Sequence, residues 1–538
     1  MDETGSVWPG CRPTWPWKMG HGLCPWGSIE LLGSIVLNKS SSIPNTIAEI
    51  FSRTMREHPD NPALITPQWT WTYFQLGQLV RSGMDLLQSY LATPECRMAI
   101  VGNNHPAYVV GYFASQCLGK PTVEVRPLEK LDRQLEIIER TNAAFVLTDV
   151  PALENTLKGR VPAMSFAAFL QSCQEAVEKG DLRFENITWP GTALSEASII
   201  YTSGTTGSPK GVILTQGNFC FIVNAVVDYL RLTAKDRYAL ILPLNHTYGK
   251  TVLLTSIRVG ASIVMLDNFN RVQEFVKALS ENQCTIFSGV PYHIHVILKW
   301  CNLSSYDLSS LRILTFSANK LPSSTIDQLT KVLPHAKIFS MYGLTESTTR
   351  VCFVPPDVLM RKKESCGRPL RGVEVKIIDQ HGNPLPPEKS GEVVLRGPNV
   401  MKGYFGDPEL TSATLIDGWL RTGDLGYLDE EGFLYLVGRE KEIIKCAGER
   451  ISPAEIEEVL LCHPKVAEAA VTGSPDSTLG EIVHAFIVPK GNSLEEGELK
   501  TYCAKLLSHH KLPRRYTFVE ELPKTPTGKV KKHLLKSP

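Results

Sequence analysis

Residues 201–212 read Tyr-Thr-Ser-Gly-Thr-Thr-Gly-Ser-Pro-Lys-Gly-Val, and this stretch says more about the fold than any other in the chain. Two glycines lie among hydroxyl side chains, and a lysine follows them. Glycines permit backbone conformations and close approaches that a Cβ would block, and the N–H groups of such loops bind anions. The residues predicted to hold a polyphosphate are Thr202, Ser203, Gly204, Thr205, Thr206, Gly207 and Lys210.

The residues around this loop predict a nucleotide site in an ordered domain. Ile199 and Ile200 lead into the loop as a strand, and Thr215 is placed to cap a following helix with apolar residues at helical spacing. The common P-loop needs four residues between its glycines and ends in Gly-Lys-Ser/Thr. Here two residues separate the glycines and Pro209 precedes the lysine, so the loop differs from that of P-loop kinases and NTPases.

Composition places the chain among ordinary globular proteins. The 538 residues carry a net charge of +1, with 21% charged and 43% hydrophobic residues, which argues against a nucleic-acid surface or a polybasic membrane patch. Thirteen cysteines lie scattered without metal-ligand spacing, as in reduced cytoplasmic proteins. No run of eighteen apolar residues predicts a transmembrane segment, and the longest apolar stretch, 252–266, is predicted to be a core strand.

The pattern of elements predicts an α/β fold. From about Ile43 to Val437, short apolar runs alternate with amphipathic helical patterns, which is typical of mostly parallel sheets. Within that region, residues 372–437 are richer in glycine, proline and short alternating strands, which indicates a barrel-like β subdomain.

The chain after Gly438 is predicted to form a small α+β unit. Ser452-Pro-Ala-Glu455 has the sequence of a capping box with proline at the first helical position. Strands are predicted at 467–471 and 482–488, followed by a helix near 495–507.

Five further motifs follow the 201–212 loop. They are Leu242-Pro-Leu-Asn-His246, Tyr342-Gly-Leu-Thr-Glu346, Arg421-Thr-Gly-Asp424-Leu-Gly, Gly438-Arg439-Glu-Lys441-Glu-Ile-Ile-Lys445 and Pro526-Thr-Gly-Lys529. The loop resembles, residue for residue, the signature of the adenylate-forming superfamily, and the other motifs follow in that family's order and spacing. This superfamily comprises acyl- and aryl-CoA synthetases, beetle luciferases and the adenylation domains of peptide synthetases.

The resemblance covers residues 42–538 and implies a domain organisation. A large N-terminal adenylation domain of α/β layers with the barrel-like β subdomain would span 42–437, and a hinge would lie at 438–441. A small mobile α+β lid domain would span 442–538. Residues 1–41 fall outside the resemblance and lack helical or strand periodicity, so they are predicted to be a disordered extension or an incorrect gene start.

The resemblance also implies a reaction. An ATP-dependent enzyme would activate a carboxylic acid as an acyl-adenylate and transfer the acyl group to a phosphopantetheine thiol. Its cofactors would be ATP, Mg²⁺ and coenzyme A, or a carrier protein in place of coenzyme A. Because two anions meet and charge builds on phosphoryl oxygens, positioning and cationic stabilisation would carry such a reaction.

Individual roles follow from the same resemblance. Glu346 would bind Mg²⁺, which prefers hard oxygen ligands, while Thr345 would contact the α-phosphate and Tyr342 would flank the adenine. Asp424 would accept the ribose hydroxyls, although an aspartate beside glycine is often a plain turn former. Arg439 would make a second contact to the ribose or phosphate.

The C-terminal motifs are implied to serve both half-reactions. Lys529 would neutralise charge as carboxylate and α-phosphate approach. Lys441 would be the hinge about which the small domain rotates. Lys445 and Gly448 would then line the pantetheine tunnel.

The substrate is predicted to be a medium-chain fatty or aryl acid. His246 matches the residue that gates the acyl pocket, and no aspartate in 244–249 is available to bind the ammonium of an amino acid. Met341 stands where many long-chain enzymes have glycine, and its bulk is expected to shorten the pocket. Lys320 stands where proline is common.

Three alternatives remain open at this point. A carrier protein presents the same thiol as coenzyme A, so an enzyme that loads a free-standing carrier would have the same motifs. A luciferase-like oxygenase shares them too. A non-catalytic adenylate-binding scaffold is the alternative outside enzymes, and the intact lysines and Glu346 argue against it.

Overall fold

The computed structural model of the chain describes residues 44–538 except 181–189, 203–209, 267–268, 270, 318–320, 440–441, 447–448, 477–478, 492–493, 525–529 and 536–538. The prediction for residues 1–41 therefore lies outside the described residues.

The helices begin and end as follows: α1 (Ile47–Glu57), α2 (Tyr73–Leu87), α3 (Pro106–Cys117), α4 (Leu131–Arg140), α5 (Pro151–Leu157), α6 (Phe166–Lys179), α7 (Gln216–Leu230), α8 (Thr247–Val259), α9 (Val272–Glu281), α10 (Pro291–Trp300), α11 (Ser323–Val332), α12 (Pro408–Thr414), α13 (Pro453–Leu461) and α14 (Glu496–Leu506). No helix among the described residues is long and apolar enough to cross a membrane.

The strands alternate with these helices through the first two thirds of the chain. They are β1 (Pro62–Ile65), β2 (Thr70–Thr72), β3 (Arg97–Val101), β4 (Thr122–Val125), β5 (Ala143–Thr148), β6 (Ala163–Ser165), β7 (Glu196–Thr202), β8 (Lys210–Thr215), β9 (Arg237–Leu240), β10 (Ser262–Met265), β11 (Ile286–Gly289), β12 (Ile313–Phe316), β13 (Lys337–Tyr342), β14 (Cys352–Val354), β15 (Arg368–Pro369), β16 (Glu374–Ile378), β17 (Gly391–Arg396), β18 (Gly403–Tyr404), β19 (Leu415–Ile416), β20 (Trp419–Leu428), β21 (Leu434–Arg439), β22 (Ile444–Cys446), β23 (Glu449–Ile451), β24 (Val466–Asp476), β25 (Gly480–Pro489) and β26 (Arg515–Phe518).

Two mostly parallel sheets form the large part of the fold. The first has nine strands in the order β15-β14-β13-β12-β11-β9-β10-β1-β2, and its strands from β13 to β1 run parallel. The second has seven in the order β18-β8-β7-β4-β3-β5-β6, with β7 to β6 parallel. Central strands such as β4 and β10 are buried along their whole length, as expected for sheets covered by helices. The predicted α/β class is confirmed.

The third and fourth sheets also follow the predicted plan. The third is antiparallel, in the order β16-β17-β20-β19 with β21 on β20, and corresponds to the barrel-like subdomain. The fourth has the order β23-β22-β25-β24 with β26 on β25. A separate apolar cluster, with Ile456 of α13, Leu499 of α14 and Val483 of β25 among its members, lies in this last unit.

The prediction of one core strand over 252–266 is wrong. Residues up to Val259 belong to α8, Gly260 ends that helix with a φ of 72°, and β10 begins at Ser262. The first part of the run is buried on every side as a helix, so its sequence lacks the periodicity that distinguishes a helix from a strand. Gly260 lies in the left-handed region that glycine adopts most readily.

The capping box predicted at Ser452 does not form, although the helix begins where it was predicted. Ser452 is the N-cap of α13 and Pro453 takes the first position, as predicted. The hydroxyl of Ser452, however, donates a hydrogen bond to the carbonyl of Val437 rather than capping the helix. This bond joins α13 to β21, so a tertiary partner has replaced the local one.

Candidate active site

The predicted phosphate loop connects two antiparallel strands. Thr202 ends β7 and Lys210 begins β8, and the two residues pair across the hairpin. The loop residues Ser203, Gly204, Thr205, Thr206 and Gly207 lie outside the described residues.

The expected order of strand, loop and helix is therefore wrong by one element, because β8 intervenes. Val212 and Leu214 are buried in β8, where they pack as strand residues before the helix begins. Thr215 then caps α7 as predicted: its hydroxyl accepts from the N–H of Asn218 at 3.2 Å. The Asn218 side chain accepts in turn from the N–H of Thr215 at 2.8 Å.

Tyr404 brings the predicted phosphate lysine and the predicted metal carboxylate to one side chain. It lies in β18, which pairs with β8. The Tyr404 hydroxyl donates to Oε1 of Glu346 at 3.0 Å, and Nζ of Lys210 lies 5.5 Å from the centre of its ring. Burial, followed by the charge of Glu346, raises the pKa of Tyr404, so the hydroxyl remains a donor. Sequence reasoning missed Tyr404, because a two-residue strand leaves no pattern.

The Tyr342–Glu346 motif leaves β13 through a tight turn. A Cβ on Gly343 would lie 1.8 Å from the carbonyl oxygen of Thr349, so this position requires glycine. Residues Thr345–Ser347 form a short 3₁₀ turn. The motif therefore places Thr345 and Glu346 immediately beyond the carboxyl end of β13.

Asn399 holds this turn in place. Its side-chain amide donates to the carbonyls of Ser347 and Arg350, at 3.3 and 2.8 Å, and the hydroxyl of Thr348 donates to the Asn399 carbonyl at 2.7 Å. Nearby, the N–H of Met401 donates to the carbonyl of Glu346. Asn399 is fully buried. Local spacing could not predict this role of Asn399, because its contacts span about fifty residues of chain.

Three predicted nucleotide residues meet at Asp424. Its Oδ2 accepts from the Tyr342 hydroxyl at 2.6 Å, and its Oδ1 lies 2.9 Å from Nε of Arg439. Burial, and then the Asp424 charge, raises the pKa of Tyr342 well above its usual value, which keeps this hydroxyl protonated. Asp424 lies in β20 opposite Arg439 rather than in a plain turn, while Gly423 beside it has a φ of 68°.

His246 is the N-cap of α8 and is neutral at ordinary pH. Burial, together with the charge of Arg126, lowers its pKa to about 3. The segment before it is held by Asn104, whose amide donates to the Leu242 carbonyl at 3.0 Å and accepts from the Leu244 N–H at 2.9 Å. His246 is therefore available as an apolar or hydrogen-bonding wall.

The region that was predicted to hold the acyl group is rich in aromatic hydroxyls. Met341 accepts a hydrogen bond at its sulfur from the Tyr229 hydroxyl, at 3.2 Å. Tyr248, in the first turn of α8, places its hydroxyl 2.8 Å from Oγ1 of Thr315 on β12. Lys320 lies outside the described residues.

The C-terminal candidates are not brought to this cluster by the described contacts. Lys445 lies exposed in β22, where it pairs with β23 and its N–H donates to Oε2 of Glu481 at 2.7 Å. Lys441, Gly448 and Lys529 lie outside the described residues.

Two family profiles match this chain. The profile described as AMP-binding enzyme matches residues 51–405, and that described as AMP-binding enzyme C-terminal domain matches residues 455–529. Together they take in the hairpin, the Tyr342–Glu346 turn and strands β24, β25 and β26 of the fourth sheet.

The chain is also similar over nearly its whole length to individual ligases. It is 35% identical over 485 residues to a 2-succinylbenzoate–CoA ligase of Bacillus pumilus, covering 89% of this chain and 95% of that protein. The structure of o-succinylbenzoate CoA synthetase (MenE) from Bacillus subtilis with the acyl-adenylate OSB-AMP aligns with a TM-score of 0.81 and 30% identity, covering 91% and 98%. The same synthetase with ATP and magnesium ion also gives a TM-score of 0.81 and 30% identity, covering 91% and 99%.

Proposed function

This chain belongs to the AMP-binding enzymes, and we propose that within that family it makes the CoA thioester of 2-succinylbenzoate or a closely similar aryl acid. It is an AMP-forming acid–thiol ligase that uses ATP, Mg²⁺ and coenzyme A. The resemblance inferred from the motifs is thereby confirmed. The observation that carries the choice of acid is the similarity to 2-succinylbenzoate–CoA ligases along the whole described chain.

In the first half-reaction a carboxylate oxygen of the acid attacks the α-phosphorus of ATP. The bond from that phosphorus to the bridging oxygen breaks, and pyrophosphate leaves with the electron pair. We assign Lys210, with Thr202 and the loop between them, to the β- and γ-phosphates, and Thr345 to the α-phosphate. Lys529 would neutralise the charge where the two anions meet, a contribution of about 3–4 kcal/mol for a well-placed group.

Magnesium, when bound, neutralises phosphate charge, and the carboxylate of Glu346 is a hard oxygen ligand that fits it. The hydrogen bond from Tyr404 to Oε1 orients that carboxylate, and the ring of the same tyrosine lies 5.5 Å from Nζ of Lys210. Supporting residues that orient a metal ligand commonly matter almost as much as the ligand itself.

Asp424 fits the role of ribose anchor. An ionised carboxylate has about four lone-pair sites, and the described partners Tyr342 and Arg439 occupy one site on each oxygen. The remaining sites would accept the two ribose hydroxyls. With its hydroxyl on Asp424, the ring of Tyr342 would flank the adenine.

In the second half-reaction the thiol of coenzyme A attacks the acyl carbon. The carbon–oxygen bond to the phosphate breaks, AMP leaves with the electron pair, and the thiol proton passes to water. We propose that Lys441 is the hinge between a domain of residues 42–437 and one of 442–538, and that Lys445 and Gly448 line the pantetheine path. The separate sheet and apolar core of β22–β26 support this division.

The test is pyrophosphate release with 2-succinylbenzoate, anthranilate and octanoate, with and without coenzyme A, followed by mass spectrometry of the thioester. Multiple turnovers with 2-succinylbenzoate and coenzyme A, and the matching thioester, are the expected result. A preference for octanoate would instead support a medium-chain fatty acid. Release that stops near one equivalent despite coenzyme A would indicate a carrier protein, and ATP binding without release would indicate a scaffold.

A further inference from the structure

Arg350 is a buried guanidinium that no described carboxylate neutralises. Its exposed fraction is 2%, and it forms no ion pair with any described residue. Its Nη1 is buried and has no hydrogen-bond partner in the part of the chain that the structure describes. Because arginine stays charged at any ordinary pH, the folded protein retains a positive charge here that is costly without a counter-charge.

The partners that Arg350 does have are neutral. Its Nε donates to the hydroxyl of Tyr229 at 3.2 Å, and its guanidinium carbon lies 4.4 Å from the centre of the Tyr248 ring. A cation over an aromatic face is stabilised, but the interaction replaces only part of the lost hydration. The arrangement holds the guanidinium in one position without satisfying it.

This position lies at the predicted acyl site. Tyr248 follows His246, the predicted gate, by two residues on the first turn of α8. Tyr229, which accepts from Arg350, donates in turn to the sulfur of Met341, the residue predicted to limit pocket length. Arg350 thus contacts two tyrosines that adjoin the residues predicted to form the acyl pocket, Tyr248 near His246 and Tyr229 bonded to Met341.

We propose that Arg350 binds a second carboxylate of the acid substrate, the one that is not activated. The inference rests on the proposed function and deepens it: 2-succinylbenzoate carries one carboxylate on its chain and one on its ring. A guanidinium presents a planar set of donors that matches a carboxylate. The unpaired Nη1 supplies one of those donors, and the second carboxylate supplies the missing negative charge.

The experiment compares the diacid with two analogues that each lack one carboxylate. These are 4-oxo-4-phenylbutanoate, without the ring carboxylate, and 2-butanoylbenzoate, without the chain carboxylate. Whichever carboxylate reacts, one analogue retains it. We call the analogue that retains the reacting carboxylate the reactive analogue. For pyrophosphate release by the wild type, we expect kcat/KM to be on the order of 100-fold higher for the diacid than for the reactive analogue, as for a buried charge pair.

Arg350→Gln should remove this preference. The kcat/KM of the diacid should fall by about the same factor of 100, chiefly through KM, while that of the reactive analogue changes by less than about threefold. Arg350→Lys, which keeps the charge but loses the planar donors, should retain an intermediate preference. The matched control is Arg312→Gln. It removes a guanidinium that is bound to Asp236 immediately before β12, and it should leave the preference for the diacid unchanged.

Several results would overturn the inference. Arg350 has only a structural role if Arg350→Gln lowers kcat/KM equally for the diacid and the reactive analogue, or if the variant still prefers the diacid. The proposed function then stands. Equal wild-type turnover of diacid and analogue also contradicts the inference but leaves an aryl-CoA ligase. If the diacid and both analogues give no pyrophosphate release while octanoate is turned over, the proposed function itself is contradicted. If Arg350→Gln does not fold, the test is made on the wild-type protein. At equal concentration, the diacid must then raise the melting temperature more than the reactive analogue does.

Discussion

Single side chains in this site act on more than one neighbour. Tyr404 is the clearest case, because its hydroxyl orients Glu346 and its ring lies near Lys210. Arg350 likewise contacts residues on two helices, Tyr229 of α7 and Tyr248 of α8. Substitutions at such positions should alter catalysis without removing any group that touches the reacting atoms.

We predict that Tyr404→Phe weakens adenylation. The ring over Lys210 is kept, but the hydrogen bond to the Glu346 carboxylate is lost, and such bonds to charged groups contribute about 1.5–3 kcal/mol. Pyrophosphate release at limiting Mg²⁺ should fall about tenfold or more, and higher Mg²⁺ should partly restore it. Tyr427→Phe, on the ring stacked against Tyr435 in the third sheet, is the control. Equal loss in both variants would contradict a specific role for Tyr404.

We predict a pH dependence of stability from His246. Its pKa of about 3 in the folded protein lies below the usual value, so the unfolded chain binds the extra proton first as pH falls. The stability contribution is complete above about pH 6.5 and is lost toward pH 3, with a slope of about 1.4 kcal/mol per pH unit. Urea unfolding of wild type and His246→Gln at several pH values measures this, and the variant should show the shallower loss. Parallel curves would refute the prediction.

At the scale of elements, a buried ion pair joins α8 to β4. Nζ of Lys250 lies 2.8 Å from Oε1 of Glu124, and both side chains are fully buried. The ring of Tyr112 lies 3.6 Å from the same ammonium. His246 is the N-cap of the helix that carries Lys250, so the predicted acyl gate and this ion pair lie on the same element.

We predict that Lys250→Met destabilises the protein by about 3–5 kcal/mol, because it leaves a buried carboxylate unpaired. Adding Glu124→Gln should recover part of that loss. The exposed pair Lys277 and Glu281 in α9 provides the matched control, and Lys277→Met should cost less than about 1 kcal/mol. The free energies come from urea unfolding. A double variant less stable than Lys250→Met alone would refute the argument.

Elements were predictable where local chemistry decides and not where distant contacts do. Thr215 caps α7 through residues three positions away, so its role could be read from the sequence. The bond between Tyr342 and Asp424 spans 82 residues, so local spacing does not predict it, and only the family resemblance associates both residues with one nucleotide. Ser452 instead donates to Val437, 15 residues earlier in the chain. The bonds of Asn399 to Arg350 and of Tyr404 to Glu346 span 49 and 58 residues, separations at which sequence spacing carries no signal.

At the scale of the whole molecule, the chain between the third and fourth sheets is short. β21 ends at Arg439 and β22 begins at Ile444, so the predicted hinge residue Lys441 lies in the connection between two separate sheets. Arg439 belongs to the third sheet and contacts Asp424 there. A rotation about Lys441 would therefore leave the contact between Arg439 and Asp424 intact.

We predict that Lys441→Pro separates the two half-reactions. Proline fixes φ and removes a backbone donor, so a hinge that must change conformation would be confined to one state. Acid-dependent pyrophosphate release in a single turnover should stay within about threefold of wild type, while thioester formation falls by about 100-fold or more. Lys441→Ala should preserve both. Normal thioester output from the proline variant would exclude Lys441 as the hinge.

The bond between Tyr342 and Asp424 crosses from the last parallel strand of the first sheet to the third sheet. A ligand held at this junction binds both bodies at once and is released when they separate. A nucleotide bound at this junction, as proposed, would link its own binding to docking of the barrel-like subdomain, and each would strengthen the other by the same free energy. If the nucleotide binds here as proposed, raising the ATP concentration should favour the closed junction and slow proteolysis at it.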